Sequence, residues 1–359
     1  MMMKWVQNPM NYPPLFTVLL ICLLVLSFPA QAEPQNSAKP LIQIKKTQTF
    51  ALPLDCTPGT DCWVMNYVDM KPDDQENTDP ACLSRTYDSH KGTDFAIAGG
   101  KTMESGVNVL VPLDGTVLKV RDGEPDQWMN AEQLDAIKTA RKECGNAVII
   151  DHGDKTETVY CHMKRSSIVV KPNQKVKQGD VIGQVGLSGL TEFPHLHFGI
   201  IKDGKIIDPF TGQDNTQPCG KMKSPLWNKN LELSYTPFVI QNLGFANDIP
   251  DLSSIEQDED SAVNIPLDSE LLTFWAVLFG VREGDEIVLE IKDPNGKIFA
   301  RRAITQDSNR ARQFYYTGLK TVRNPLIEGA YTGQVFIKRN YKGQILKEEK
   351  FSAVLVSQN

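Results

Sequence analysis

Histidine is confined to one stretch of this 359-residue chain. All five histidines lie between residues 90 and 197, and three short motifs hold four of them: His90-x-x-x-Asp94, His162 at the end of an apolar strand pattern, and His195-x-His197. Histidine is the commonest metal ligand and titrates near neutral pH. Two histidines and one carboxylate are a known catalytic zinc set that leaves one position open for water. The fold must therefore bring distant segments together at one site.

The spacing within the motifs indicates where each residue lies. In a strand, residues i and i+2 point to the same face, so His195 and His197 share a face with α-carbons about 7 Å apart. His90 and Asp94 would lie about 13 Å apart in an extended chain, too far to bind one ion through bonds of about 2 Å. The chain must bend between them, and Gly92 permits a bend. We therefore predict His90 on a loop and Asp94 at the start of the following strand.

The sequence around these motifs carries a wider pattern, which covers roughly residues 82 to 210. Its parts are His90–Phe95, Val109–Val117, Gly145–Gly153, Tyr160–His162, Val176–Gly183 and Gly186–Gly189. In this order, the pattern resembles the lysostaphin-type (LytM-type) zinc metalloendopeptidases of bacterial cell walls. The resemblance implies an antiparallel β catalytic domain that cleaves peptide cross-links of peptidoglycan.

Carried over position by position, the resemblance implies that His90, Asp94 and His197 bind one Zn²⁺. It also implies that His162 and His195 are catalytic and flank the attacking water. Zinc lowers the pKa of bound water to about 7 and polarises a peptide carbonyl. The chain has no His-Glu-x-x-His helix to supply a glutamate base, so one of the two catalytic histidines takes the proton. Which of them does so stays open.

Three further aromatic or histidine side chains lie within this region. His152 falls in a turn by composition, and a structural role is favoured over a place in the cleft wall. Phe193 stands where many relatives carry small polar residues, and we expect it to narrow the cleft or to stack on substrate. Tyr87 is the nearest candidate for a tyrosine that faces the metal site, with ordinary packing as the alternative.

The amino terminus has the pattern of a secretory signal peptide over residues 1–32. Lys4 is the only charge before Glu33, Leu15–Phe28 is largely apolar, and Ala30-Gln31-Ala32 is typical of a cleavage site. The apolar run is short for a membrane span. We expect export to the periplasm or the extracellular space, with no stable membrane span after cleavage; an uncleaved anchor is the alternative.

Six cysteines remain beyond that segment, and an even number in an exported chain favours disulfides. A hairpin with its turn at residues 151–154 would place Cys144 near Cys161, which predicts a bridge beside His162. Zinc thiolates are the rival interpretation. The pairing of the others stays open, with a local pair and a bridge around the catalytic domain as the favoured arrangement of Cys56, Cys62, Cys82 and Cys219.

Composition and turn signals set the domain organisation. After the signal peptide we expect a polar lead and cysteine-containing loop region at 33–81, the zinc peptidase domain at 82–210, a linker at 211–230 and an accessory domain at 231–359. Short strands with turns between them predict an immunoglobulin-like β-sandwich in the last region. The fold class is mainly β, with one surface helix inserted near Ala131–Glu143. The acidic run Glu256–Asp260 predicts an exposed loop.

The net charge of −6 gives no general attraction to nucleic acid or to anionic membranes. Other functions also remain open at this point. The alternatives are a non-catalytic regulator of wall hydrolases, a secreted peptidase for proteins, and a wall-binding module whose histidines store metal. The cross-link that would be cleaved and the oligomeric state are not indicated by the sequence.

Overall fold

A computed structural model of the protein describes residues 49–72, 77–129, 131–222, 225–231, 233–258 and 261–358. The predicted signal peptide and almost all of the polar lead lie outside these ranges. The described residues belong to one compact unit. They form mainly antiparallel β-sheets, which confirms the predicted fold class. Within the described residues, none of the helices has the length and apolar character that a membrane crossing requires.

The first half of the unit contains an eight-stranded antiparallel sheet. Its strand order is β1-β2-β9-β6-β5-β4-β7, with β10 paired to β9, and a separate pair is formed by β3 and β8. The strands are β1 (Cys62–Asn66), β2 (Thr93–Ile97), β3 (Asn108–Leu110), β4 (Gly115–Arg121), β5 (Asn146–Asp151), β6 (Thr156–Met163), β7 (Lys175–Val176), β8 (Val181–Gln184), β9 (His195–Lys202) and β10 (Lys205–Ile207). Two helices lie in this half, α1 (Gly100–Ser105) and α2 (Ala131–Thr139), and α2 is the predicted inserted helix.

Apolar and polar side chains alternate along β2 and β9, so one face of these strands joins the core of this half and the other carries the polar residues. Phe95, Leu196 and Phe198 are buried in the core. Asp94 pairs with His197 and Ala96 pairs with His195 across the two strands. Because neighbouring side chains on a strand point to opposite faces, Asp94 and both histidines lie on the face opposite the core. The apolar residues of β2 and β9 thus fix where the polar ones meet.

The second half consists of two sheets around one apolar core. The strand orders are β11-β13-β16 and β12-β18-β17-β14-β15. Its elements are β11 (Val239–Ala246), α3 (Leu252–Asp258), β12 (Asn264–Pro266), β13 (Leu271–Val281), β14 (Glu286–Lys292), β15 (Ile298–Thr305), β16 (Arg310–Lys320), β17 (Gly329–Tyr341) and β18 (Gln344–Ser357). Two facing sheets agree with the expected sandwich, while the finer immunoglobulin-like assignment stays a prediction.

Strand β13 is buried on both of its faces, which explains its unbroken apolar sequence. Phe274 and Leu278 point into the core of the sandwich. Trp275 and Phe279 point the other way, into a second cluster that also contains apolar side chains of the first half, namely Trp63, Met65, Ala96 and Phe193. A fully buried large apolar side chain contributes about 1.5–3 kcal/mol to the free energy of unfolding. This cluster therefore joins the two halves firmly.

Two segments expected as loop or linker contain buried apolar residues. The loop region expected at 33–81 contains the strand β1, in which Val64 packs in the first core while Trp63 and Met65 pack against the second half, so both faces are buried. The expected linker at 211–230 has no helix or strand among its described residues, and its Trp227 is buried against Phe198 of the first core. Burial of apolar side chains at these positions is favourable, because it removes their surface from water.

The acidic run also departs from expectation. Residues up to Asp258 belong to α3, and residues 259–260 lie outside the described ranges. The side chain of Glu256 is largely buried beside Arg312 of β16 rather than exposed on a loop. A partner of opposite charge on a neighbouring strand thus overrides the local composition.

One buried carboxylate gives the fold a testable pH dependence. Asp208 is fully buried, and its Oδ1 accepts hydrogen bonds from the backbone N–H of Phe210 and from the backbone and hydroxyl of Thr211. Burial raises the pKa of Asp208 to about 7. The folded state therefore holds the proton more tightly than the unfolded state, in which the pKa is about 3.9. Stability from this group is fully present below about pH 4 and is lost as the pH rises through about 7.

We expect Asp208→Asn, which keeps the accepting Oδ1 without the charge, to flatten the dependence of the melting temperature on pH between 5 and 8. The exposed Asp268 provides the control, because Asp268→Asn should leave that dependence as in the original chain. Thermal unfolding at a series of pH values measures both variants. Equal pH dependence in Asp208→Asn and in the original chain would contradict this account.

Candidate metal centre and active site

Three side chains predicted as metal ligands converge at one point. His90 Nε2 lies 3.0 Å from Asp94 Oδ1 and 3.1 Å from His197 Nδ1, and His197 Nδ1 lies 2.9 Å from Asp94 Oδ1. His90 precedes β2 on a loop, Asp94 lies in β2 and His197 in β9. All three are buried or half-buried. Among the described residues, these three side chains form a group of donor atoms suited to one ion, hereafter called the cluster.

The donor set fits zinc. Tetrahedral zinc with bonds of about 2.0–2.1 Å separates its ligand atoms by about 3.3 Å, so outward shifts of a few tenths of an ångström would accommodate the ion. His90 is already oriented, because its Nδ1–H donates to the carbonyl of Tyr67 at 2.7 Å and leaves the Nε2 lone pair toward the cluster.

The role expected of Gly92 requires a correction. Its backbone is not in the left-handed region, so a special bend is not why glycine stands there. A Cβ at this position would lie 2.7 Å from the ring atoms Cε1 and Nε2 of His197. Glycine is needed because the His197 ring packs directly over the backbone.

Asn66 is a site residue that sequence reasoning missed. At the end of β1, its Nδ2–H donates to Asp94 Oδ2 at 2.9 Å, which orients the carboxylate so that Oδ1 faces the two histidines. Its own Oδ1 is buried without a hydrogen-bond partner, which is costly for stability. A lone asparagine after an apolar run gives no local sign of this contact.

His162 is aimed at the site by a β-bulge. Between the pairs Asn146–Met163 and Val148–Tyr160, β6 has one more residue than β5. His162 adopts a φ of 62°, an unusual conformation for this residue type. Bulges redirect side chains in this way next to active sites. Its Nδ1–H donates to the carbonyl of Ser188 at 2.8 Å, which leaves Nε2 free to accept a proton.

His195 lies beside His162, with 4.6 Å between the ring centroids. Its Nδ1–H donates to the carbonyl of Phe193 at 2.9 Å, and the Thr191 hydroxyl is 3.1 Å from the same nitrogen. Its Nε2 faces the cluster, 3.7 Å from Asp94 Oδ1. The two predicted catalytic histidines therefore stand side by side next to the predicted ligands.

Electrostatics divide these groups into two kinds. Burial opposes ionisation of Asp94, but His90 and His195 hold its pKa well below the ordinary value. Burial also disfavours a charge on His90, yet the Asp94 carboxylate raises the pKa of that imidazole. For His162, burial and then the neighbouring histidines lower the pKa well below its usual range, and burial likewise lowers the pKa of His195. His162 and His195 are therefore neutral at pH 7 and able to accept a proton.

The remaining side chains singled out in the sequence lie in three different settings. His152 is in the hairpin turn, with its ring nitrogens 3.0 Å from the Asp114 carbonyl and 2.7 Å from the Thr158 hydroxyl, apart from the cluster. Tyr87 is half exposed, and its ring centroid lies 4.4 Å from that of His90. Phe193, expected to narrow the cleft or to stack on substrate, is buried. Its ring is buried between His195 and the second half, where it packs near Phe279.

The six cysteines beyond the signal segment form three disulfides. Cys144 is joined to Cys161, directly before His162. The other bridges are Cys56–Cys62 and Cys82–Cys219. The cluster of Cys56, Asp61 and Cys62 therefore offers no thiolate to a metal.

The orienting contact of Asn66 can be tested separately from the ligands. Asn66→Leu keeps the side-chain volume, removes the donor to Asp94 and eliminates a buried unpaired oxygen. We expect zinc affinity to fall about 10- to 100-fold, as for other residues that orient metal ligands. We also expect the free energy of unfolding to fall by about 1–3 kcal/mol, because the buried Oδ2 of Asp94 loses its donor. Competition with a chromophoric chelator measures the affinity.

The matched control is Asn108→Leu in β3, whose amide contacts Asp55 and not the cluster. It should bind zinc as the original chain does. Unchanged zinc affinity in Asn66→Leu would show that Asp94 needs no help from β1.

Comparisons with known proteins agree with the site. Residues 88–209 match the profile described as Peptidase family M23. An uncharacterized metalloprotease of Haemophilus influenzae is 34% identical over 122 residues, which is 34% of this chain and 20% of that protein. The peptidoglycan DD-endopeptidase ShyA of Vibrio cholerae is 33% identical over 144 residues, 39% of this chain and 27% of that protein.

A crystal structure of a zinc-containing peptidase from Vibrio cholerae is 26% identical, covering 40% of this chain and 38% of that one, with a TM-score of 0.26. The chain thus spans only about a fifth to a quarter of the curated relatives named above. The matched region contains every residue of the cluster as well as His162 and His195. Residues 88–209 of this chain are thus similar in sequence to peptidase family M23.

Proposed function

We propose that this protein is a zinc-dependent endopeptidase that hydrolyses peptide cross-links of bacterial peptidoglycan. The observation that carries the proposal is the convergence of His90, Asp94 and His197, with His162 and His195 beside them. The match of residues 88–209 to a peptidase family supports the reaction class. The similarity to a peptidoglycan DD-endopeptidase of Vibrio cholerae supports the substrate.

In this proposal His90, Asp94 and His197 hold one Zn²⁺. When bound, zinc would polarise the scissile carbonyl and lower the pKa of water. His162 and His195 each have Nδ1 fixed by a backbone carbonyl, so their Nε2 atoms point in a defined direction. One of them orients the attacking water and takes its proton on Nε2. That proton passes on to the leaving amine as the C–N bond breaks, either from the same histidine or by way of the other, whose Nε2 stabilises the oxyanion while it carries the proton.

The proposed place of action is the periplasm or the extracellular space. Three disulfides within the described residues support it, because such bonds persist in oxidising compartments and are rare in the cytosol. The signal peptide proposed for residues 1–32 would deliver the chain there. Peptidoglycan lies in the same compartment, so substrate and enzyme would meet. We further propose that residues 231–359 are an accessory region to the peptidase.

The test is digestion of purified cross-linked peptidoglycan by the chain without residues 1–32, with products separated and weighed. We expect loss of cross-linked dimers, abolished by a metal chelator. His162→Ala and His195→Ala should each lower the rate about 10²- to 10⁴-fold, the usual contribution of an acid–base group, while both variants still bind zinc.

His152→Ala is the matched control, because His152 lies in the turn after β5 and bonds to the Asp114 carbonyl and the Thr158 hydroxyl, apart from the metal ligands. It should cleave at the original rate. Absence of cleavage by a folded, zinc-loaded chain would contradict the proposal and favour a regulatory or wall-binding role. Cleavage of casein but not of peptidoglycan would instead assign a protein substrate.

A further inference from the structure

We propose that Arg312 and Phe193 are positioning residues for His195, so that the accessory region helps to hold the catalytic histidine in place. The inference rests on the function proposed above for the role of His195. The three side chains form a stack that begins on β16 of the second half and ends at the site.

The stack is continuous. The guanidinium carbon of Arg312 lies 5.1 Å from the centroid of the Phe193 ring. The Phe193 ring also lies 4.7 Å from the His195 ring at an interplanar angle of 26°. A cation over an aromatic ring and a second ring that stacks near-parallel on it are both attractive arrangements. The plane of the His195 ring is therefore set by a side chain that Arg312 in turn holds.

Arg312 is itself fixed from several directions. It pairs across the sheet with Phe279 of β13, whose ring lies 6.3 Å from that of Phe193. Its guanidinium bonds to Glu256 of α3 and lies 3.5 Å from Glu192. Glu192 immediately precedes Phe193, so Arg312 contacts two consecutive residues of the loop that leads to His195. The side chains of Arg312 and Glu256 are only 17% and 12% exposed, so their ion pair is shielded from solvent, whereas Glu192 is exposed.

The loop before His195 needs such support. Residues 189–194 have no helix or strand of their own. Phe193 affects His195 twice, because its ring stacks on the imidazole and its carbonyl accepts the Nδ1–H of the same imidazole at 2.9 Å. A shift of Phe193 would therefore alter both the plane and the hydrogen bond of His195. Misplacement of a catalytic group by about 1 Å can cost two orders of magnitude in rate.

The competing explanation is that the stack only fills the interface between the two halves. The contacts of Phe193 and Arg312 among the described residues do not include the proposed ligands His90, Asp94 and His197. Substitution of Phe193 or Arg312 therefore has different effects under the two explanations. Positioning predicts a loss of rate with zinc retained, whereas filling predicts a loss of stability alone.

The test compares Arg312→Met and Phe193→Leu with the control Arg302→Met. Arg302 also lies in the second half, with its guanidinium 5.9 Å from the Tyr315 ring. It therefore makes the same type of contact with an aromatic ring as Arg312 does, but with a different ring. We expect the two test variants to lower kcat for cross-linked muropeptide about tenfold, with KM and zinc content unchanged. Phe193→Tyr should restore most of the rate, and the double variant should be no slower than the slower single one.

A second readout does not depend on activity. The Hε1 and Cε1 resonances of His195 feel the ring current of Phe193, so both test variants should shift them in the zinc-loaded protein, whereas Arg302→Met should not. If the original chain cleaves no peptidoglycan but the shifts appear, the proposed function fails while the positioning stands. Unshifted His195 resonances in Arg312→Met, or a kcat equal to that of Arg302→Met, would overturn the positioning.

Discussion

The buried carboxylate of Asp94 is the charge around which the candidate site is arranged. A carboxylate in the interior is costly unless donors and cations compensate it. Here Asn66 binds one oxygen, while His90 and His197 approach the other. These partners come from three separate segments that β1, β2 and the neighbouring β9 bring to one face of a sheet. A metal ion at this point would satisfy the same carboxylate and both imidazoles, which is why the arrangement favours metal chemistry over a structural salt bridge.

The second half of the chain packs against the part of the first half that carries the site, so the two are joined by more than the connecting segment. Strand β13 directs alternate apolar residues into its own sandwich and into the cluster shared with β1 and β2. The strand that supplies Asn66 is therefore covered by the same surface that carries Arg312 and Phe279. Asn66 of β1 orients the Asp94 carboxylate, and Arg312 contacts Phe193, which stacks on His195. In the arrangement that we propose, the second half supports the geometry of the site through these side chains.

Sequence periodicity predicted part of the site and could not predict the rest. The i, i+2 spacing placed His195 and His197 on one face, and the distance argument placed His90 on a loop before β2, as the structure has them. The direction of His162 depends on a bulge with a positive φ, which arises from the pairing of β5 with β6 and leaves no mark in the local sequence. The contact of Asn66 depends likewise on β1, which lies among cysteines and prolines and was therefore predicted as a loop.

The central claim, that histidine and carboxylate groups hold zinc here, is tested most directly by zinc K-edge X-ray absorption on the purified, zinc-loaded protein. The account predicts only nitrogen and oxygen neighbours at about 2.0–2.1 Å, with the outer-shell scattering of two imidazole rings, and with no sulfur at about 2.3 Å. In Asp94→Ala the same spectrum should lose one oxygen neighbour or the metal itself. A sulfur shell, or a spectrum that Asp94→Ala leaves unchanged, would contradict the assignment of His90, Asp94 and His197 as the metal centre.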